Sequence, residues 1–181
     1  MVLLTIALPL SFLFSCFREK NEMIDVFFDP QTYSTIIKTN VETYISDSGI
    51  TRYKIIAATW LIFGKASEPY WHFPDGVFLE KFDSLFNVEA SVQADVAYYY
   101  QRRKLWQLDG NVDITNREGL RFQTEQFFWS EQEQEFPFFS DSLVTITEQP
   151  DIRQKSIGFR GNRDLTYYEF PQPSGDFEVE L

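Results

Sequence analysis

Cysteine and histidine are almost missing from this 181-residue chain, which has one of each, Cys16 and His72. A disulfide framework, a Cys/His metal cluster and a paired-His zinc site are thereby excluded. Positive charge is scarce as well: 16 Lys and Arg stand against 27 Asp and Glu, and the formal net charge of −11 repels a phosphate backbone instead of releasing its counterions. Nucleic acid is therefore not an expected partner. The chain also lacks a Gly-rich phosphate loop with its lysine, so it is not expected to hydrolyse a nucleotide itself.

The few residues that invite a chemical reading have plainer explanations. His72, in the aromatic stretch Tyr70-Trp71-His72-Phe73-Pro74, has neither a second His nor a Cys nucleophile to work with, and is read as structural or surface. Glu131, Glu133 and Glu135 alternate with Gln132 and Gln134, which suits a solvated strand face better than a calcium site. With 27 acidic residues some carboxylate pair at glycosidase spacing always exists, so its availability argues for nothing. No catalytic residue, no metal and no cofactor is expected. Binding or transport is favoured over chemistry.

What the chain does have is 44% hydrophobic and 18% aromatic residues, enough for one well-cored domain. Residues 1–17 carry no Asp, Glu, Lys, Arg or His, and charge begins at Arg18, Glu19 and Lys20. The apolar run over residues 3–14 suits the h-region of a secretory signal. Cys16 follows Leu13-Phe14-Ser15 and resembles the lipobox of bacterial lipoproteins, so cleavage before Cys16 and its lipidation are expected. An uncleaved anchor is the alternative, although the run is at the lower limit of the ~17–25 residues a spanning helix needs and contains Pro9. Residues 1–16 are thus signal and lipobox or anchor. Residues 17–39, broken by Asp29-Pro30, are read as linker, and 40–181 as the folded domain.

Over residues 87–96, Val88, Ala90, Val92, Ala94 and Val96 alternate with Asn87, Glu89, Ser91, Gln93 and Asp95. Over 107–115, Leu108, Val112 and Ile114 share one phase, and Leu120, Phe122 and Thr124 continue the device. A period of two belongs to a pleated strand whose side chains point to opposite faces. Strands at 41–46 and 51–63 form a hairpin around Asp47-Ser48-Gly49, and Asn116-Arg117-Glu118-Gly119 turns the chain again. Further strands are predicted at 125–129, 143–147, 156–160, 165–170 and 177–180, with Arg102, Arg103 and Lys104 in a solvated turn. Many short strands without an intervening helix predict an all-β sandwich, jelly roll or barrel.

Val88, Ala90, Val92, Ala94, Val96, Leu108, Val112, Ile114 and Phe122 share the apolar phase of neighbouring strands. They are candidates to line an apolar groove between two sheets, where the small Ala90 and Ala94 would leave space, or else they are ordinary core. A groove of this kind shields acyl chains at ~0.8 kcal/mol per buried CH2.

Residues 43–60, 73–100 and 105–129 resemble the LptC family of periplasmic lipopolysaccharide-export proteins in its Bacteroidetes form. The resemblance is carried by Ala94-Asp95, Tyr98-Tyr99-Tyr100, Gly110-Asn111-Val112 and Thr124-Glu125, with Gly158-Phe159 and Asp164-Leu165 towards the C-terminus. Ser156 and the proline-broken stretch around Pro137 depart from the family pattern, and an edge or bulge is expected at Pro137. The resemblance implies a twisted, partly open antiparallel β-jellyroll with an apolar groove for lipid A acyl chains. It also implies a periplasmic location at the inner membrane, lipopolysaccharide received from an inner-membrane ABC transporter, and delivery to an LptA-like jellyroll. Such partners join edge to edge, which makes Phe177 and Val179 candidates for the handover edge. Two other functions stay open: a surface lipoprotein binding glycans through exposed Trp71 or Trp129, and a purely structural jellyroll adaptor.

Overall fold

The computed structural model describes residues 29, 31–148, 152–171 and 177–179, all of them in strands, turns and connecting segments. Cys16 and the segment around it lie outside the described residues. The fold is all-β, a single sheet in which every pairing is antiparallel.

β1 (Ile36–Asp47) and β2 (Ile50–Phe63) form the first hairpin. Ser48 and Gly49 take φ of 52° and 80°, the pair of left-handed residues that a two-residue loop needs to match strand twist. β1 begins at Ile36, so residues 36–39, expected to be linker, pair with β2 instead. On its other side β2 pairs with β4 (Val77–Phe82) and then with β3 (Tyr70–Phe73), two strands absent from the sequence reading. These two pair in turn with β5 (Val88–Ala94) and β6 (Val96–Tyr100), and both of the latter pair with β7 (Leu105–Asn116). The sheet continues through β8 (Arg121–Ser130), β9 (Phe138–Glu148) and β10 (Ile152–Gly161). Two short strands, β11 (Tyr168–Glu169) and β12 (Phe177–Val179), share the outer edge of β10.

A line of irregularities crosses this sheet and creases it. β3 and β4 are separated at Gly76, whose φ is 90°, and β5 and β6 at Asp95. Opposite Asp95, Gly110 and Asn111 both have positive φ, and the register of β7 against β8 slips there. The Asp95 N–H donates to the Gly110 carbonyl at 3.0 Å, and Asn111 Nδ2 donates to Asp95 Oδ2 at 2.7 Å. β8 slips against β9 between Thr124 and Phe128, and β10 slips at Gly158. Bulges bend a strand and increase its twist, so aligned bulges curl the whole sheet.

The crease corrects the reading of residues 87–96 as one strand. Beyond Asp95 the phase inverts: Ala94 and Ala97 are both buried, and Val96 between them is only half-buried. Similarly, 120–124 and 125–129 are one strand, not two. Leu165, expected in a strand, sits in a turn, and only Tyr168–Glu169 of the 165–170 stretch pairs. Pro137 lies just before β9 and its carbonyl accepts from the Ser130 N–H at 2.8 Å.

The curl brings distant strands together over one core. Trp106, Leu108, Phe122, Phe127, Val144 and Phe159 are essentially inaccessible to solvent. Each large side chain buried in this way stabilises the fold by about 1.5–3 kcal/mol before its entropy is counted. Phe122 and Phe159 meet edge to face with centroids 5.2 Å apart, joining β8 to β10.

Candidate functional site

The concave face of the curled sheet encloses a narrow apolar space of about 20 Å³, room for roughly one water molecule. Ala90, Val92, Leu108 and Ile114 line it, together with Tyr53, Leu79, Trp106, Phe127, Trp129, Phe138 and Leu165. Four of the nine groove candidates therefore meet there. Ala94, Val112 and Phe122 are buried in the surrounding core without lining the space. Val88, at the start of β5, is 42% exposed, and Val96 is displaced by the phase inversion. Phe177 and Val179 lie on β12 beside Gln154 and Ile152, on the outer edge of β10.

The larger contributors to the interior come from β2, β7 and β8. Tyr53, Trp106 and Trp129 are brought into line by the curl: the two indoles stack with centroids 6.2 Å apart, and Tyr53 meets Trp129 edge-on at 5.1 Å. Trp106 shares the buried phase of Leu108 in β7, but no local signal pairs either of them with Tyr53.

Tyr53 and Trp106 also line a second, open cavity of about 680 Å³, which makes them the floor between interior and mouth. The mouth is aromatic at its base, with Trp71 and Tyr99, and charged at its rim, with Arg52, Lys81, Lys104 and Arg163 against Asp47, Asp83, Glu89 and Glu131. Several of these charges are matched. Lys81 pairs with Glu89 at 2.6 Å and Asp83 with Arg117 at 2.7 Å, whereas Arg52, Lys104 and Arg163 make no ion pair among the described residues.

Glu131 sits half-buried at this rim and accepts from the Tyr99 hydroxyl at 3.4 Å. Burial pushes its carboxyl up, opposed by the Trp106 indole, Lys104 and the Tyr99 hydroxyl. Among the described residues, the Trp106 N–H nonetheless has no acceptor within hydrogen-bond geometry, and neither has the buried Trp60 N–H. Burial, reinforced by Glu131, likewise raises the phenols of Tyr53 and Tyr99 far above the ordinary tyrosine range. Both stay neutral at any physiological pH.

The remaining candidates have structural surroundings. His72 stacks on Tyr98 with centroids 4.3 Å apart, and burial lowers its pKa. Residues 131–135 form bends and not the alternating strand face that was expected. No group of three or more acidic, His or Cys side chains suited to a metal occurs among the described residues. Trp129 is buried and Trp71 is half-buried against Trp60 and Tyr99, so neither offers the exposed platform that a glycan would need. In comparisons of the sequence with known proteins, no family model and no curated protein matches the chain.

Proposed function

We propose that the chain is a β-jellyroll carrier for the acyl chains of lipopolysaccharide. In this reading it stands in the periplasm at the inner membrane, held through Cys16 or the segment around it. It receives the lipid from an ABC transporter and passes it to a second jellyroll of the LptA kind across an exposed edge. The edge beside β12, with Phe177 and Val179, is the proposed handover edge. The resemblance in the sequence motivates this assignment. The observation that carries it is the continuity of an apolar interior with a wide mouth that is aromatic at its base and, on a rim of mixed charge, presents Arg52, Lys104 and Arg163 without ion pairs among the described residues. Acyl chains reward the first at ~0.8 kcal/mol per CH2, and phosphorylated head groups suit the second.

The interior is closed around its own side chains, so loading requires the facing parts of the sheet to separate. The contacts to be broken include Tyr53 against Trp129, Lys81 on the Arg163 carbonyl and Asn116 on the Leu165 carbonyl, together with apolar packing of Leu79, Phe127, Phe138 and Leu165 around the space. The same closure favours a second reading, a structural adaptor that joins its partners and never holds lipid.

Photo-cross-linking separates the two. A photoreactive residue at Val92 or Leu108 is expected to capture lipopolysaccharide in cells, in an ATP-dependent manner. Assembly of the export complex with no lipid captured at either position would favour the adaptor.

A further inference from the structure

Among the described residues, every side chain lining the interior belongs to a strand except one, Leu165. It projects from the turn of residues 162–166, is 1% exposed, and also lines a separate outer cleft of about 350 Å³ beside Asn116, Leu120 and Tyr168. Leu165 is therefore the partition between the interior and that cleft. We infer that the 162–166 turn is a displaceable stopper, and that lifting Leu165 opens a second door to the acyl-binding interior. The inference rests on the carrier reading above and adds a route through the molecule.

The turn is built to move as a unit. Its shape is fixed from within: the Leu165 N–H donates to the Asn162 carbonyl at 3.1 Å, the Tyr167 N–H to Asn162 Oδ1 at 3.1 Å, and the Thr166 hydroxyl to Asp164 Oδ1 at 2.7 Å. Side-chain ties to the facing wall are two, Asn116 Nδ2 to the Leu165 carbonyl at 3.2 Å and Lys81 Nζ to the Arg163 carbonyl at 3.1 Å. The Asn116 bond is neutral and contributes little net stability, while the Lys81 ammonium makes the stronger, charge-assisted tie.

The seated position is also strained. Leu165 has a φ of 58°, a left-handed conformation that a branched side chain adopts only when its surroundings impose it. At the base of the turn, a Cβ on Gly161 would meet Leu165 Cδ2 at 2.8 Å and Phe159 Cζ at 2.8 Å. Only glycine lets the leucine tuck in. An acyl chain entering an interior that has room for about one water must displace something, and Leu165 is the wall element with the fewest strand hydrogen bonds to lose.

The test is stopped-flow uptake of a fluorescent long-chain fatty acid by the full chain, comparing wild type with Leu165→Ala and Asn116→Asp. The second variant keeps the acceptor for the Leu120 N–H, loses the donor to Leu165 and places a carboxylate against its carbonyl. It keeps Leu165 and the side-chain volume at the buried Asn116, and stands in should Leu165→Ala fail to fold. Loading by Asn116→Asp is expected to be about fivefold faster, the factor that loss of one ordinary hydrogen bond produces. Wild-type loading matched by equal rates in both variants would overturn the stopper and leave the carrier standing. No uptake by any of the three proteins would also overturn the stopper, whereas the carrier falls only if Val92 and Leu108 capture no lipopolysaccharide in cells.

Discussion

Tyr53 of β2 meets Trp129 of β8 edge to face, with ring centroids 5.1 Å apart and planes at 73°, although β4, β5 and β7 lie between their strands in the sheet. A flat sheet would hold these strands well over 10 Å apart at the ordinary spacing of about 4.8 Å per strand. The contact thus measures the curl. Tyr53→Ala removes it and widens the passage from mouth to interior. Its expected cost is about 2 kcal/mol in urea denaturation, below that of a fully buried aromatic because the ring is half-exposed. Tyr53→Phe keeps the ring contact and should change stability by less than about 0.5 kcal/mol.

The crease gives a sharper test of what bends the sheet. Gly110 has a φ of 75°, and a Cβ there would meet Asp95 Oδ2 at 2.9 Å and Asp95 Cβ at 3.0 Å. Gly110→Ala therefore combines a left-handed alanine with a clash against the residue that divides β5 from β6, and is expected to cost about 2–4 kcal/mol. Gly49 has a φ of 80° with open space around it, so Gly49→Ala should cost only about 1 kcal/mol. Equal losses in thermal denaturation would mean that backbone conformation alone matters and that the approach to Asp95 is not limiting.

This crease also marks where the fold is legible in the sequence. Within β8, the alternation of Phe122 and Thr124 with exposed Arg121, Gln123 and Glu125 can be read residue by residue, because a two-residue period is local. The inversion between Ala94 and Ala97 is not local. It depends on Asp95 pairing with the Gly110 carbonyl on another strand, and neither residue advertises the other. The same holds for the site: Ala90, Val92, Leu108 and Ile114 follow from alternation, whereas Tyr53, Trp129 and Leu165 join them only through the curl and a turn. Strands β3 and β4 escape notice because neither shows a clean alternation: Tyr70, Trp71 and His72 are all half-buried, and Val77, Phe78 and Leu79 run apolar on both phases before Glu80 and Lys81.

At the tip between β4 and β5, Asp83 accepts from the backbone N–H groups of Leu85 and Asn87 at 2.8 Å each and pairs with Arg117. This network holds Phe86 at a φ of 66° and presents Leu85, 81% exposed, to solvent. The Asn87 and Arg117 hydrogen bonds hold the Asp83 carboxyl well below the usual carboxylate range. A depressed folded pKa contributes stability above the unfolded value and loses it as the pH falls towards the folded one. The melting-temperature gap between wild type and Asp83→Asn should thus be constant from about pH 5 to 8 and shrink below about pH 4. A gap that does not change down to about pH 3 would show that the Asp83 carboxyl titrates alike in the folded and unfolded chain.

Glu131 carries the opposite sign. Burial raises its folded pKa above the unfolded one, so the native state holds this proton more tightly and loses stability as the pH rises from the ordinary Glu range through the raised value. At neutral pH the half-buried carboxylate remains a cost that Lys104 and the Tyr99 hydroxyl only partly offset. Glu131→Gln removes that cost, keeps the side-chain volume and leaves an oxygen to accept from Tyr99. The variant should melt higher than wild type at about pH 7, and the two should converge near pH 4, where the wild-type carboxyl is protonated. Were the variant to melt lower at neutral pH, attraction to Lys104 and the Trp106 dipole would outweigh desolvation. The rim of the mouth would then favour a fixed negative charge beside its cations.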